Sequence, residues 1–568
     1  KAYPGVVVLH DFYLSGILHY MEVLDYAPRP FKRELYHSHG YVALDDHQQC
    51  KDVADVIWKY PCSLSVVKNS LGLIVHSPHS LHLAKKWYGQ EENAWATIPL
   101  LRNPVCNQSK KQARKALSIK EDTFLICSFG ILAPTKLNHR LLQAWLNSAL
   151  AQNKKCHLIF VGDPVDQKYS KSLLETIKKS SCNNIKITGW VDKNKFSQYL
   201  AVADMAVQLR TLSRGETSAT VLDCMNYGLA TIVNANGSMT DLDDEAVLKI
   251  PDEFSEKELV DALDRLWRDT SYRKKLGARA REIILEKHNP AECAQQYQVA
   301  IEEFYIRNKS SVQTLIPAIA NLSESVPNEE NLISLAGAIA KTFPPDCGQP
   351  QILVDISELI QRDAKTGIQR FIRSVLHEWL LNPPNGWRIE PVYATIDQPY
   401  RYARQFTAQF MEFVPDNMVD DPIDYTPGDI FFGLDFQPQV QSAKKYFYQH
   451  LQGQGVIVKF MIYDLLPILQ PKHFSPNAAE GHEEFLGMVG ENDGAICISE
   501  AVANELDDWM KDKTWKRKRS FSIEWSHLGA DFDSSVASKG LPENACVVLR
   551  TLKQRPSFLI VGTLEPRK

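Results

Sequence analysis

The sequence predicts an α/β fold with parallel sheets, divided among several Rossmann-like layer domains. Three observations carry this. Short apolar runs such as Val6–Leu9, Phe124–Phe129, Met205–Leu209 and Ala230–Val233 alternate with stretches of helical period, as strand–helix–strand layers require. Several of these runs end in polar or glycine-bearing loops (His10-Asp11, Gly130 to Lys136, Arg210 to Gly215), and open parallel sheets bind ligands at that edge. Finally, a strand followed by His-Asp or Tyr-Asp, and a strand followed by Gly-x5-Lys, each occur twice in the same order, which reads as a tandem repeat.

With 568 residues the chain has room for three or four domains of about 100 to 200 residues each. Hydrophobic residues at 44% and charged residues at 23% are ordinary for globular cores. A net charge of −4 gives no argument for nucleic acid as a partner. The eleven cysteines contain no C-x-x-C pair, which favours reduced thiols in a cytoplasmic protein over a disulfide frame or a zinc site. No apolar run approaches a membrane span, so membrane contact is expected to be peripheral at most, at the inner face of the plasma membrane. The chain opens on Lys1, enters a strand almost at once, and stops at Lys568 inside a loop, so it reads as a fragment of a longer polypeptide.

Residues 210 to 237 organise the rest. Arg210 to Gly215 is a polar loop after a buried strand. Glu216, Thr217 and Ser218 stand where a helix begins, because Val221, Leu222 and Met225 follow at helical spacing. Gly228 closes that helix and Ala230–Val233 is the next strand. A helix start carries unpaired N–H groups and about half a positive charge, so it favours an anion such as a diphosphate. Glu216 would compete with that anion unless its carboxylate faces neutral ribose or sugar hydroxyls. Asp223 lies about two helical turns further on, on the same side. This stretch resembles the acidic signature of retaining glycosyltransferases of family 4, which have the two-domain GT-B fold. Asp223 replaces the usual second Glu, and Glu216 stands one position closer to it than the family spacing.

Taken in order, residues 1–105 read as a partial acceptor-side domain. The resemblance gives His10, at the end of its first strand, contact with the donor sugar. Residues 106–304 read as the donor-binding domain. Family members place an Arg directly after the glycine matched by Gly130 and a Lys six residues after it, both aimed at the donor diphosphate. Lys136 matches, while Ile131 takes the place of the Arg, so Arg210 or Arg214 is expected to supply the missing cation. The run continues through Gly162-Asp163 and Gly189 in family order, then Ser255 to Glu258 as a capping box. Residues 139–151 are expected as one amphipathic helix, and residues 272–304 as final helices folding back across the domain junction. Residues 305–348, rich in Ser and Pro with one short helix near 332–341, read as a linker. Residues 349–555 look like the acceptor-side domain of a second module. There Thr366-Gly367-Ile-Gln369-Arg370 opens a helix, and Tyr463-Asp464 stands where the first module has His10-Asp11. Residues 556–568 repeat the Gly-x5-Lys loop, ending in Arg567-Lys568, as the truncated start of a second donor-binding domain.

The resemblance implies a hexosyltransferase using a nucleotide-sugar, with retention of anomeric configuration and neither metal nor cofactor. Lys136 and the helix start at Thr217-Ser218 would neutralise the departing nucleoside diphosphate. Glu216 would orient ribose or sugar, with Asp223 in support. The Thr-Gly-Ile-Gln-Arg start resembles a subset of mannosyltransferases that build bacterial surface polysaccharide such as O-antigen, so GDP-mannose is the favoured donor and a growing glycan or lipid-linked saccharide the acceptor. Asp241-Leu-Asp243 and Asp531-Phe-Asp533 have the D-x-D form of a metal site, a pattern short enough to arise by chance. The alternatives are a non-catalytic nucleotide- or glycan-binding scaffold, or another GT-B chemistry such as epimerase or phosphorylase. An NAD-dependent dehydrogenase is disfavoured, because no G-x-G-x-x-G follows a strand. The basic run Lys511 to Arg519 reads as a solvated loop or as a means of steering toward anionic lipid.

Overall fold

The structure, a computed structural model, describes residues 5–27, 29–89, 94–105, 109–180, 182–308, 312–322, 328–343, 349–363, 366–413, 418–511, 513–515, 517, 519–529 and 543–558. The chain divides into two compact units, residues 1–38 with 52–324 and residues 39–51 with 325–568. The predicted α/β class with parallel sheets holds in both.

The first unit contains two sheets. β1 (Val6–Val8), β2 (Gly72–Val75) and β3 (Trp95–Thr97) pair in parallel in chain order. The larger sheet has six strands: β4 (Phe124–Phe129), β5 (Cys156–Val161), β6 (Ile185–Ile187), β7 (Met205–Gln208), β8 (Ala230–Asn234) and β9 (Leu248–Ile250). They lie in the order β6-β5-β4-β7-β8-β9, every pair parallel. Strand order therefore reverses between β4 and β7, the point at which doubly wound sheets open a crevice at their carboxyl ends.

Side-chain alternation explains why this sheet is covered on both faces. Ile126 of β4 packs with Leu142, Trp145 and Leu263 on one side. Leu125, Cys127 and Phe129 pack with Tyr199 and Leu200 on the other. The helix expected over 139–151 is two: Asn138–Leu146 and Ala149–Gln152. Ser148 makes the break, its Oγ donating to the Trp145 carbonyl at 2.7 Å, a local bond that competes with helix continuation. The predicted capping box at Ser255 and Glu258 is present at the start of Glu256–Arg268.

The helix Pro290–Asn308 of the first unit folds back onto the smaller sheet, as expected of the final helices. Cys293, Ala300 and Phe304 pack against Ile74 of β2 and Ile98 beyond β3. Gly72 makes this possible, since a Cβ there would overlap the Phe304 ring. Residues 305–348, expected to hold one short helix, carry two among the described residues, Val312–Leu322 and Glu329–Thr342.

The second unit is built on one seven-stranded sheet: β10 (Gln351–Asp355), β11 (Arg388–Tyr393), β12 (Arg401–Tyr402), β13 (Ile430–Gly433), β14 (Ile457–Ile462), β15 (Gly494–Cys497) and β16 (Ser522–Trp525). Its order is β12-β11-β10-β13-β14-β15-β16, with only β12 antiparallel, so it too reverses, between β10 and β13.

Candidate functional site

The site gathers at the carboxyl edge of β4 and β7. β7 ends at Gln208, and the next turn is held by Asn234 at the end of β8. Arg210 N donates to Asn234 Oδ1 at 2.8 Å, and Asn234 Nδ2 returns a bond to Arg210 O at 2.7 Å. The Asn234 amide thus extends the ladder one step past the strand, and it is itself held by Asp252 at 2.9 Å. Arg210 is drawn in to 6% exposure, and its Nη1 meets Glu216 Oε1 at 2.6 Å. The other oxygen of Glu216 accepts from Arg214 N at 2.6 Å and Ser213 Oγ at 3.4 Å. The carboxylate that sequence assigned to sugar or ribose hydroxyls is bound into its own loop in this structure.

That loop also joins the two layers of the unit. Arg214 O accepts from Phe12 N at 2.8 Å and Tyr13 N at 3.3 Å, and Ser80 Oγ donates to Gly215 O at 2.9 Å. Gly215 has φ +93, and a Cβ on it would lie 2.7 Å from Phe12 Cβ, so only glycine allows this approach. The Arg214 guanidinium stands over the Trp58 ring at 4.6 Å and 4.0 Å from Asp11, which follows His10 at the end of β1. Burial raises the Asp11 carboxyl above its ordinary range, with Glu216 adding to the effect and the two arginines opposing it.

Lys136 reaches the same place from β4. Gly130 turns the chain at φ +101, and Thr211 N donates to Thr135 O at 2.9 Å, tying the β4 loop to the β7 loop. Burial lowers the Lys136 ammonium to about 8. Arg210 and Arg214 push in the same direction, while Glu216 and Asp11 oppose them. Lys136, Arg210, Arg214, Glu216 and Asp11 therefore share one electrostatic environment. Ile131, in the position of the family Arg, is 63% exposed, and the Arg210 and Arg214 side chains act on the Lys136 ammonium. Gly162 serves the loop rather than the cleft, because a Cβ there would overlap the Gly130 carbonyl.

The predicted helix start is also present. Ala219–Asn226 is helical, and Ser218 occupies the N-cap without a side-chain capping bond. The Thr217 hydroxyl is buried and has no hydrogen-bond partner among the described residues. Gly228 follows at φ +67 as the closing residue. Glu216 precedes this helix, so helical spacing does not relate it to Asp223. Asp223 pairs instead with Arg102 Nε at 2.9 Å, on the crossover between the two layers. Burial raises the Asp223 carboxyl and Arg102 opposes that rise. His10 Nδ1 lies 3.0 Å from His76 Nε2. Sequence reasoning passed over His76, Arg102 and Asn234. The only signal for His76 was its place directly after a strand.

The second unit places its candidates apart from any such cluster. Thr366 and Gln369 form a capping box at the start of Gly367–Leu381, and Gln369 Nε2 donates to Arg362 O at 2.6 Å. Both side chains are therefore engaged in building the helix start. Gly367 has open space where a Cβ would stand, and Arg370 is exposed on the first turn. Tyr463 departs from its expected likeness to His10, being buried with its hydroxyl donating to Leu434 O at 2.7 Å. Asp464 closes a turn, Oδ1 accepting from Leu466 N at 3.0 Å. Arg567, Lys568 and the Asp531–Asp533 pair lie outside the described residues. Asp241 accepts from His79 N at 3.2 Å, a bond to the facing layer, while Asp243 accepts from Glu245 N at 2.8 Å and pairs with Arg279 at 3.5 Å, so each carboxylate is engaged by protein groups. In the basic run, Lys511 pairs with Asp507 and Asp508, Lys513 with Glu483, and Arg517 donates to Gly490 O. Among the described residues, no helix is long and apolar enough to cross a membrane.

Residues 109–283, which contain the whole Gly130-to-Asp223 arrangement, match the family Glycosyl transferases group 1. Over 244 residues the chain is 34% identical to a serotype-specific mannosyltransferase WbdA of Escherichia coli, covering 42% of this chain and 30% of that protein. A second Escherichia coli WbdA is 33% identical over 245 residues, with 42% and 29% covered. The match thus spans under a third of the relatives' own length. Among solved structures, Anabaena Alr3699/HepE in complex with UDP aligns with 53% of this chain and 73% of its own, at 16% identity and TM-score 0.41. WaaG, a glycosyltransferase involved in lipopolysaccharide biosynthesis, aligns with 45% and 72%, at 16% identity and TM-score 0.37.

Proposed function

We propose that the chain carries the site of a retaining, metal-independent glycosyltransferase that moves a hexose from a nucleoside diphosphate sugar to a growing glycan or lipid-linked saccharide. The observation that supports this most is the shared electrostatic environment of Lys136, Arg210 and Arg214, with the helix start at Ala219–Asn226 against the Gly130 turn, where a Cβ on Gly130 would lie 3.4 Å from Thr220. A departing nucleoside diphosphate gains charge as the glycosidic bond breaks, and fixed cations with free N–H groups at that spot stabilise it. Arg210 is neutralised by Glu216, which leaves Lys136, Arg214, the Thr217 hydroxyl and the start of Ala219–Asn226 to meet the diphosphate. His10, at the edge of the facing layer, would hold the sugar. The likeness to mannosyltransferases favours mannose, with GDP-mannose as donor. With a lipid-linked acceptor, contact with the inner face of the plasma membrane would be peripheral.

Calorimetry with GDP- and UDP-sugars, followed by mass analysis of the products formed from the same panel, tests the reading. The expected result is binding and hexose transfer in the wild type, with transfer lost in Lys136→Ala. Binding without turnover, in the complete protein and with a range of acceptors, would instead make the site a scaffold for a partner enzyme.

A further inference from the structure

The two histidines beyond β1 and β2 form a pair whose proton positions follow from their partners. His76 Nδ1 lies 2.8 Å from the Ile98 carbonyl oxygen. A carbonyl only accepts, so His76 Nδ1 carries the hydrogen. Burial lowers the His76 pKa below its ordinary value. The Ile98 bond opposes that shift, and the charges facing the ring (His10, Arg102 and His288) reinforce it. A neutral ring protonated at Nδ1 has a bare Nε2, and that atom is 3.0 Å from His10 Nδ1. The bond between the rings therefore runs from His10 Nδ1–H to His76 Nε2. The rings sit 4.8 Å apart at 38°, a tilted approach that suits an in-plane bond better than stacking.

We propose that His76 is a positioning residue, holding His10 in the tautomer with hydrogen on Nδ1 so that Nε2 accepts a hydrogen bond from a hydroxyl of the incoming sugar. This rests on the transferase reading for the identity of the ligand, but the tautomer itself does not. His10 is exposed at the edge of the cleft, and the next residue, Asp11, shares the electrostatic environment of Arg210, Arg214 and Glu216. Without His76 to accept from Nδ1, the His10 hydrogen is free to move to Nε2, and the ring would then present a donor where the sugar hydroxyl needs an acceptor. The anchor is the backbone of the crossover, since Ile98 directly follows β3, so the setting does not depend on any mobile side chain.

Nitrogen-15 NMR of the histidine rings in the full chain tests this, with His10 and His76 assigned from His10→Ala and His76→Phe. The wild type should show the neutral His10 ring protonated at Nδ1 and bare at Nε2. His76→Phe should release it to the opposite tautomer. His76→Gln, whose side-chain oxygen can accept at the same place, should keep it. In the transfer assay His76→Phe should lower kcat/KM about tenfold, the scale of one lost hydrogen bond, mainly through KM, and His76→Gln should restore it. A wild-type His10 protonated at Nε2, or a tautomer unchanged in His76→Phe, overturns the proposal. So does a tautomer shift in His76→Phe that leaves kcat/KM untouched. Failure of the wild type to transfer any sugar would sink the transferase reading, while the tautomer measurement would still decide whether His76 sets the His10 tautomer.

Discussion

Arg210 Nη1 and Glu216 Oε1 lie 2.6 Å apart in the loop that follows β7, the arginine 6% exposed. A guanidinium this deep needs a counter-charge, and Glu216 provides it while its second oxygen fixes the backbone of Arg214. This accounts for a carboxylate beside the proposed diphosphate site: it offsets a buried cation of its own loop.

Glu216→Ala should therefore do more than remove a ligand contact. It leaves Arg210 buried without its partner, a change that costs about 3 kcal/mol where pairs are well buried. We expect transfer to be abolished and the unfolding transition of the first unit to move to lower urea. The double variant Arg210→Met with Glu216→Leu should regain stability without regaining transfer. A single Glu216→Ala variant as stable as the wild type would remove the pair from this role.

Lys136 gives a pH dependence with a definite sign. Its ammonium is lowered to about 8 by burial first and by the neighbouring arginines next. In the unfolded chain it titrates near 10.5, so between about 8 and 10.5 the unfolded state holds more protons and stability rises with pH. Below about 8 the charged lysine strains the fold in full, so Lys136→Met should raise the melting temperature at neutral pH while losing transfer. A bound diphosphate reverses the balance by favouring the charged form. Affinity for a nucleoside diphosphate should then fall as pH rises through about 8, with proton uptake visible in calorimetry across buffers of different ionisation enthalpy. A flat affinity from pH 7 to 9 would mean that Lys136 does not face the phosphates.

Gly215 is tested by the smallest change. Its φ of +93 and the 2.7 Å approach of any Cβ to Phe12 leave an alanine no place unless the loop withdraws from the facing layer. Strain of this kind costs about 1–3 kcal/mol. Gly215→Ala should weaken nucleotide-sugar turnover with little change in far-UV circular dichroism, because the strands and helices do not depend on this turn. An alanine variant with wild-type turnover would show that docking of the loop onto Phe12 and Ser80 is dispensable.

How much of this was legible in the sequence depended on how local the cause was. The helix start at Ser218, the turn at Gly228 and the capping box at Ser255 each follow from residues within a few positions, and all three are where local chemistry puts them. The convergence of Lys136 with the 210–218 loop followed from strand order, since both loops leave the sheet at its point of reversal. What sequence could not supply was the direction of side chains whose partners are distant in the chain. Asp223 turns to Arg102, 121 positions away, and Arg210 is seated by Asn234. Tyr463 shares a strand-end position with His10, yet its hydroxyl points back to Leu434. Position in a pattern located these residues, and tertiary packing decided what they touch.

The second unit carries its own pH response, away from the candidate site. Asp435, after β13, is buried, and its carboxylate accepts from Leu359 N at 2.6 Å and Phe436 N at 2.8 Å. Burial pushes its carboxyl up to about 7; the Leu359 N–H opposes this and the nearby Asp355 adds to it. An ordinary carboxyl in the unfolded chain titrates near 3.8. Between these values the folded state holds a proton that the unfolded state has released, so stability is fully present below about 4 and declines as pH rises toward about 7. Asp435→Asn removes that titration, although its amide can accept only one of the two N–H bonds, so the variant should be less stable at pH 4 yet show a flatter slope from pH 4 to 7. Asp355 and Asp429, also raised by burial, add to the same slope, while His39, lowered to about 3 by burial, and His482, lowered likewise, oppose it. Chemical denaturation of the second unit's transition at a series of pH values reads this directly, and a slope identical in wild type and Asp435→Asn would remove Asp435 from the response and leave it to the other buried groups of the unit.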